Sequence, residues 1–73
     1  MAILRVGIIG AGHIGGKRAK ALRALPGATL VAVADPDRVR ADAFAKEWSC
    51  EAHYDSKEIT ARADIDAVII AVP

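Results

Sequence analysis

The stretch VGIIGAGHIGGKRAKAL, from Val6 to Leu22, decides the fold because it holds five of the six glycines of the chain. The apolar run before them, Leu4 to Ile9, predicts a buried strand. The run after them, Ile14 to Leu25, predicts a helix that ends at Pro26-Gly27, with an apolar stripe formed by Ile14, Ala21, Leu22 and Leu25. The glycines therefore lie at a strand-to-helix turn.

The rest of the chain alternates in the same way. Further strands are expected at Thr29 to Ala34, at about Ala52 to Tyr54 and at Ala67 to Val72. Helices are expected from Asp37 to Trp48, with an apolar face of Ala41, Phe44, Ala45 and Trp48, and from about Ser56 to Ala63. Strands that alternate with helices indicate an α/β fold with a parallel sheet and right-handed crossovers.

Composition restricts the classes of protein. A chain of 73 residues, 53% of them apolar, holds one domain at most. A net charge of +1, with both signs interspersed, argues against nucleic acid as a partner. The longest apolar run, Ala67 to Val72, is far short of a bilayer span, and the N-terminus lacks the features of a signal peptide, so we expect a cytoplasmic protein. The single Cys50 is interpreted as a packing thiol.

Gly10, Gly12 and Gly15 form the pattern G-x-G-x-x-G between the first strand and the first helix, the context in which it binds a dinucleotide. Gly10 permits the tight turn, Gly12 lets a pyrophosphate approach the backbone, and Gly15 allows close packing of helix and strand. The unpaired N–H groups and the dipole of the helix N-terminus favour an anion there. Asp35, 20 residues after Gly15 at the end of the second strand, is placed to accept the hydroxyls of an adenosine ribose.

Simpler interpretations stay open for several of these residues. The glycines could serve packing alone, and Asp35 could cap the second helix ahead of Pro36. His13 could be a solvent-facing loop residue, and Lys17 and Arg18 either assist phosphate binding or are solvated.

Outside the glycine turn, structural roles are favoured. His53 and Tyr54 are expected in core or edge packing, and Asp64 and Asp66 at a turn and at the start of a strand.

The segments VGIIGAGHIGGKRAKAL, VAVADPDRVRADAFA and DIDAVIIAVP together resemble the N-terminal nucleotide-binding domain of the Gfo/Idh/MocA oxidoreductases, over Ile3 to Pro73. The resemblance implies a Rossmann-type doubly wound sheet of about four strands in the order 3-2-1-4. It also implies that Ala71 to Pro73 line the nicotinamide side of the cleft. A histidine is common in the family where Arg18 stands, and members continue past this proline into a Glu-Lys-Pro segment and a substrate domain.

We therefore expect the N-terminal part of a longer oxidoreductase that moves a hydride between a nicotinamide cofactor and a sugar, polyol or similar carbinol. By themselves, the 73 residues are expected to be inactive and to associate with copies of themselves. A non-catalytic dinucleotide-binding or sensing module and a methyltransferase-like domain are the alternatives. NAD is favoured over NADP because Asp35 repels a 2′-phosphate, although Arg38 is near enough in sequence to reach one.

No catalytic residue and no metal ligand is predicted. The candidate cofactor-binding residues are Gly10, Ala11, Gly12, His13, Ile14, Gly15, Asp35, Arg38, Ala71, Val72 and Pro73.

Overall fold

The fold is given by a computed structural model that describes residues 3–72. The elements follow one another as β1 (Leu4–Ile9), α1 (His13–Arg23), β2 (Ala28–Ala34), α2 (Arg38–Trp48), β3 (Glu51–His53), α3 (Ser56–Thr60) and β4 (Ala67–Ile70). Every element expected from the sequence is present. The main differences are that α1 ends two residues earlier than expected, α3 three and β4 two.

The four strands form one parallel sheet in the order β3-β2-β1-β4. β1 lies at the centre, with Ile8 opposite Val33 of β2 on one side and Ile69 of β4 on the other. The register of β1 and β2 shifts by one residue between Val6 and Gly7. This topology confirms the predicted Rossmann-type α/β fold and places the carboxyl ends of all four strands at one edge of the sheet.

One face of the sheet is covered by α1 and α2. Val6 and Ile8 of β1, with Val33 of β2, are at most 1% exposed, and they belong to a buried cluster with residues of both helices. Leu22 and Phe44 supply the larger side chains from the helices. Burial of a side chain of this size contributes about 1.5–3 kcal/mol, so this cluster is the principal core of the described chain.

Of the apolar stripe predicted for α1, Leu22 is buried as expected, but the other three residues are exposed. Gly15, Ala19 and Leu22 are the buried residues of this helix, whereas Ile14 is 43% and Leu25 is 54% exposed. Ala21 is exposed as well. Because Gly15 has no side chain, the helix backbone packs closely against the turn. In this position Gly15, Ala19 and Leu22 face the sheet, and Ile14 does not.

The opposite face of the sheet is only partly covered. The short α3 places Ile59, which is fully buried, against Ala32 and Ala34 of β2. Its first turn is held by a capping box in which Asp55 and Glu58 each accept backbone N–H groups at the helix start.

β4 extends beyond the reach of α3. Ala67, Ile69 and Ala71 belong to the cluster on the other face, but Val68, Ile70 and Val72 are 38%, 69% and 54% exposed. Within residues 3–72, β4 pairs with β1 alone, so it is an edge strand with an apolar row of side chains in solvent.

Candidate functional site

The turn between β1 and α1 requires glycine at its first position. Gly10 has φ of +110°, a conformation that residues with a Cβ rarely adopt. Its N–H donates to the carbonyl of Ala34 at 2.8 Å, and a Cβ would lie 2.6 Å from the carbonyl oxygen of Ala71. The turn is therefore held between the carboxyl ends of β2 and β4.

Gly15 allows the first turn of α1 to pack against this turn. A Cβ at Gly15 would overlap the carbonyl oxygen of Gly10 and would meet the Phe44 ring at 3.5 Å. The close packing of helix and strand predicted for Gly15 is thus a property of the structure.

Gly12 differs from the other two glycines because it borders open space. A Cβ at Gly12 would meet one atom within 4 Å among the described residues, Nη1 of Arg40 at 3.8 Å. Gly12 is also the N-cap residue of α1, and no side chain caps the helix. The first N–H groups of a helix have no partner within it, so this turn has room and donors for a phosphate group. The described residues thus fit a dinucleotide.

Asp35 joins the glycine turn to the end of β2. It is 8% exposed, and its Oδ2 accepts the N–H of Ala11 at 2.9 Å while its Oδ1 accepts the N–H of Asp37 at 2.9 Å. The open alternative that Asp35 caps the second helix is not what the structure shows. Asp37 is the N-cap residue, and its side chain accepts the N–H of Arg40. Asp35 therefore holds the glycine turn, and its carboxylate stays available to a ligand in front of that turn.

Arg38 packs against an aromatic side chain. Its guanidinium stacks over the ring of Tyr54, 4.1 Å from the centroid. The Tyr54 hydroxyl donates to Oδ1 of Asp42 at 2.6 Å. This hydrogen bond is the main reason that the pKa of Tyr54 lies above its usual value. A role for Arg38 at the cofactor stays a prediction.

A groove of about 440 Å³ runs between α1 and α2 from the glycine turn to Trp48. Three cationic side chains line it, Lys17, Lys20 and Arg40, together with His13 and one acid, Glu47. Of these, the sequence analysis named His13 and Lys17 as candidates but not Lys20, Arg40 or Glu47. The available signal was the position of Arg40 in the first turn of the helix that follows Asp35.

The remaining candidate residues lie either beside the glycine turn or in solvent. Ala71 is buried beside Gly10, and its N–H donates to the carbonyl of Ile9 at 2.8 Å. Val72 contacts the same point of the turn, since its Cγ1 would lie 3.2 Å from a Cβ at Gly10. Pro73 lies outside the described residues. Arg18 is exposed on α1.

The carboxylates before β4 have structural partners, as the sequence suggested. Arg62 donates to both carboxylate oxygens of Asp64, at 2.9 and 2.6 Å, and pairs with Glu51. The Arg62 guanidinium holds the pKa of Asp64 below its usual value. Asp66 accepts the backbone N–H of Arg5 at 2.8 Å and its side chain at 3.4 Å, and these bonds lower the pKa of Asp66.

His53 joins the edge of the sheet to this ion-pair cluster. Its Nε2 lies 3.2 Å from Nη1 of Arg62, and its Nδ1 lies 3.7 Å from Oε1 of Glu58. These contacts are far from the glycine turn in the order of the chain and agree with the packing role expected for His53.

Residues 3–72 lack two further features. No group of three or more histidine, cysteine, aspartate or glutamate side chains is arranged to hold a metal ion there. The helices in that part of the chain are also too short or too polar to cross a membrane.

Comparison with known proteins agrees with the site. Residues 4–73 match the sequence profile of the oxidoreductase family with an NAD-binding Rossmann fold, named Gfo/Idh/MocA. Inositol 2-dehydrogenase 4 of Saccharopolyspora erythraea is 43% identical over 72 residues, which are 96% of this chain and 21% of that protein.

Two solved structures share the fold and hold different cofactors. GenD2 from gentamicin A biosynthesis, in complex with NAD, superposes with a TM-score of 0.92 at 27% identity, over 100% of this chain and 21% of that one. KijD10, a 3-ketoreductase from Actinomadura kijaniata in complex with NADP, superposes with a TM-score of 0.89 at 30% identity, over 97% of this chain and 23% of that one.

The chain thus spans about a fifth of the length of these relatives. Its four parallel strands, its glycine turn and its match from residue 4 to residue 73 agree with one another. The chain belongs to the Gfo/Idh/MocA oxidoreductases, of which it represents the NAD(P)-binding Rossmann domain.

Proposed function

We propose that the protein containing these residues is an NAD-dependent dehydrogenase that moves a hydride between the nicotinamide and a carbinol carbon of a polyol or sugar. The reaction class rests on family membership, and the substrate class on relatives such as inositol 2-dehydrogenase 4. The role of the present residues is to bind and orient the dinucleotide.

The observation that carries the proposal is the hydrogen bond from Ala11 N–H to the buried carboxylate of Asp35. It brings the carboxylate at the end of β2 beside the turn that would receive the pyrophosphate. Each carboxylate oxygen accepts one backbone N–H, and a carboxylate oxygen has a second lone pair. Asp35 therefore keeps acceptor capacity for the two hydroxyls of an adenosine ribose.

The same carboxylate favours NAD over NADP. A buried negative charge at the ribose repels a 2′-phosphate, and Pro36 offers it no donor. Because GenD2 is complexed with NAD and KijD10 with NADP, the fold itself permits either cofactor. The preference for NAD is inferred from Asp35.

Each part of the site has a separate task in this proposal. The first N–H groups of α1 bind the pyrophosphate at Gly12, Asp35 binds the ribose, and Ala71 with Val72 borders the nicotinamide side. Bound nicotinamide supplies the hydride chemistry, and the protein supplies orientation. We expect the group that exchanges the hydroxyl proton to lie outside residues 1–73.

The proposal is tested in two measurements on the full protein that carries residues 1–73. Calorimetric titration with NAD and NADP should show tighter binding of NAD. Reduction of NAD, followed by absorbance, should then appear with myo-inositol or another polyol. Tight binding without turnover of any polyol or sugar would favour the non-catalytic module, and absence of dinucleotide binding would refute the cofactor assignment.

A further inference from the structure

Tyr54, the residue after β3, is fixed to α2 at two points. Its ring carries the guanidinium of Arg38, the first residue of α2, whose Cζ lies 4.1 Å from the ring centroid. Its hydroxyl donates to Oδ1 of Asp42 at 2.6 Å. Because Asp42 follows Arg38 by four residues, both side chains emerge on the same side of the helix. Tyr54 therefore packs along one side of the first turns of α2.

The backbone of Tyr54 is fixed to α3 as well. Its N–H donates to Oε1 of Glu58 at 3.2 Å, and the N–H of Asp55 donates to the same oxygen at 3.3 Å. These bonds belong to the capping box that starts α3. The position of the Tyr54 ring is thus set by two helices, and the ring is a fixed support for the guanidinium of Arg38.

Arg38 starts close to the proposed ribose site but does not line the cavity beside it. The backbone N–H of Asp37, the preceding residue, donates to Oδ1 of Asp35 at 2.9 Å. A cavity of about 380 Å³ opens at the carboxyl ends of β1 and β2, and its lining includes Pro36 and Tyr54 but not Arg38. The guanidinium therefore lies on the Tyr54 ring and outside this cavity.

From this placement we propose that Tyr54 and Asp42 determine cofactor specificity, because they hold Arg38 outside the cavity beside Pro36 and so deprive NADP of a cation there. NADP differs from NAD by its 2′-phosphate, and a guanidinium offers parallel donors that match phosphate oxygens. The inference rests on the proposed cofactor function and adds a second cause of the preference for NAD. Asp35 repels the 2′-phosphate, and Tyr54 holds back the charge that would offset this repulsion.

The test is equilibrium titration of the full protein that carries residues 1–73 with NAD and NADP. Tyr54→Leu removes the ring and the hydroxyl, and it should strengthen NADP binding about 3- to 10-fold, the size expected of a partly solvated charge-assisted contact. NAD binding should stay unchanged. Tyr54→Phe keeps the ring below Arg38 and should give a smaller gain. A double variant that combines Tyr54→Leu with Arg38→Gln should lose the gain, because no guanidinium is left to be released.

Arg23→Gln supplies the matched control, because Arg23 is an exposed arginine that also stacks over an aromatic ring, 4.5 Å from the centroid of Trp48. Combined with Tyr54→Leu, it removes the same charge as Arg38→Gln but should leave the gain for NADP intact. Asp42→Ala, at an exposed position, frees the hydroxyl without removing the ring and should give a gain smaller than that of Tyr54→Leu.

Two results would overturn the inference and leave the proposed function standing. One is an unchanged ratio of NAD to NADP affinity in both Tyr54→Leu and Asp42→Ala. The other is a gain for NADP that persists when Arg38→Gln is added to Tyr54→Leu. If the unmodified protein bound neither dinucleotide, the proposed function would fail, and this inference with it.

Discussion

Oδ2 of Asp35 accepts the backbone N–H of Ala11 at 2.9 Å, so the acid at the end of β2 and the glycine turn after β1 are one structural unit. The bond is buried and joins residues 24 positions apart in the chain. Asp35 therefore acts on the shape of the turn as well as on any ligand in front of it.

Replacing Asp35 by alanine should reduce both stability and cofactor preference. The change leaves the N–H groups of Ala11 and Asp37 without their acceptor, which we expect to cost about 1–3 kcal/mol. It should also weaken NAD binding and narrow the preference over NADP. Thermal unfolding and parallel NAD and NADP titrations measure the two effects.

Asp37→Ala is the control for this experiment. It removes the N-cap of α2 and should cost about 0.5–2 kcal/mol of stability. Because Asp37 does not bond the glycine turn, the ratio of NAD to NADP affinity should stay unchanged. A shift of that ratio in Asp37→Ala as large as in Asp35→Ala would contradict the role given to Asp35.

Gly12→Val should abolish most dinucleotide binding while the domain stays folded. Gly12 has φ of −86°, which valine adopts readily, and the space around its Cβ position is open. The branched side chain would fill the approach of the pyrophosphate. Gly27→Val, at an exposed turn where an added Cβ meets nothing within 4 Å, is the control. Equal NAD affinity in the two variants would sink the assignment.

Gly10→Ala should have the opposite effect to Gly12→Val, because it should lower the stability of the fold before it affects dinucleotide binding. At φ of +110°, with the carbonyl of Ala71 2.6 Å from the Cβ position, alanine forces the turn away from β4. Strain of this kind costs about 1–3 kcal/mol before the contact itself is counted. A melting temperature equal to that of the unmodified protein would show that the turn is not constrained as described.

The succession of strands and helices and the glycine turn could be predicted because both depend on local signals, whereas the strand order came from the family resemblance. Alternating strands and helices and the spacing of Gly10, Gly12 and Gly15 need no long-range information. The buried face of α1 could not be predicted, because Ile14, Ala21, Leu22 and Leu25 have helical spacing but Gly15 sets how closely the helix approaches the sheet. The helical spacing of the apolar residues was predicted correctly, but the contact between Gly15 and Gly10 determined which side of α1 faces the sheet.

The candidate site likewise has features that the sequence predicts and features that depend on tertiary contacts. Asp35 is recognisable from its distance to the glycines, but its bond to Ala11 depends on the parallel pairing of β1 and β2. Arg38 and Arg40 lie two residues apart in one helical turn, so they point to different faces of α2. The structure shows what each face meets: the guanidinium of Arg38 stacks over the Tyr54 ring, whereas that of Arg40 borders the groove at Gly12.

Cys50 should react slowly with thiol reagents. Partial burial, and secondarily the charge of Glu51, raises the pKa of this thiol from 9.0 to about 11. The thiolate fraction near pH 8 falls about 100-fold. A more basic thiolate is more nucleophilic, which raises the rate per thiolate about 10-fold. Alkylation should therefore be about 10-fold slower than in the unfolded chain. Rates of iodoacetamide labelling with and without urea test this, and equal rates would contradict it.

Asp66 should make stability depend on pH in the acid range. The N–H and side chain of Arg5 lower its pKa below 3.8, so the folded state binds fewer protons than the unfolded state. The stabilisation is therefore complete above pH 3.8 and is lost as pH falls through the lowered folded-state pKa. The difference in melting temperature between the unmodified protein and Asp66→Asn should shrink from pH 7 to pH 3. A constant difference would exclude this linkage.

A polypeptide of residues 1–73 alone should self-associate through β4 and show no dehydrogenase activity. Val68 and Ile70 of this edge strand, with Val72 just beyond its end, expose an apolar row, and such edges pair with other chains. Each large apolar side chain left in water forfeits about 1.5–3 kcal/mol, a sizeable part of the 5–15 kcal/mol that stabilises a typical domain. Ile70→Lys, at the most exposed of the three, should shift sedimentation toward monomer, whereas Val39→Lys on the exposed side of α2 should not. A monomer that unfolds cooperatively without either change, or that reduces NAD with a polyol, would show that these residues need nothing further to fold and react.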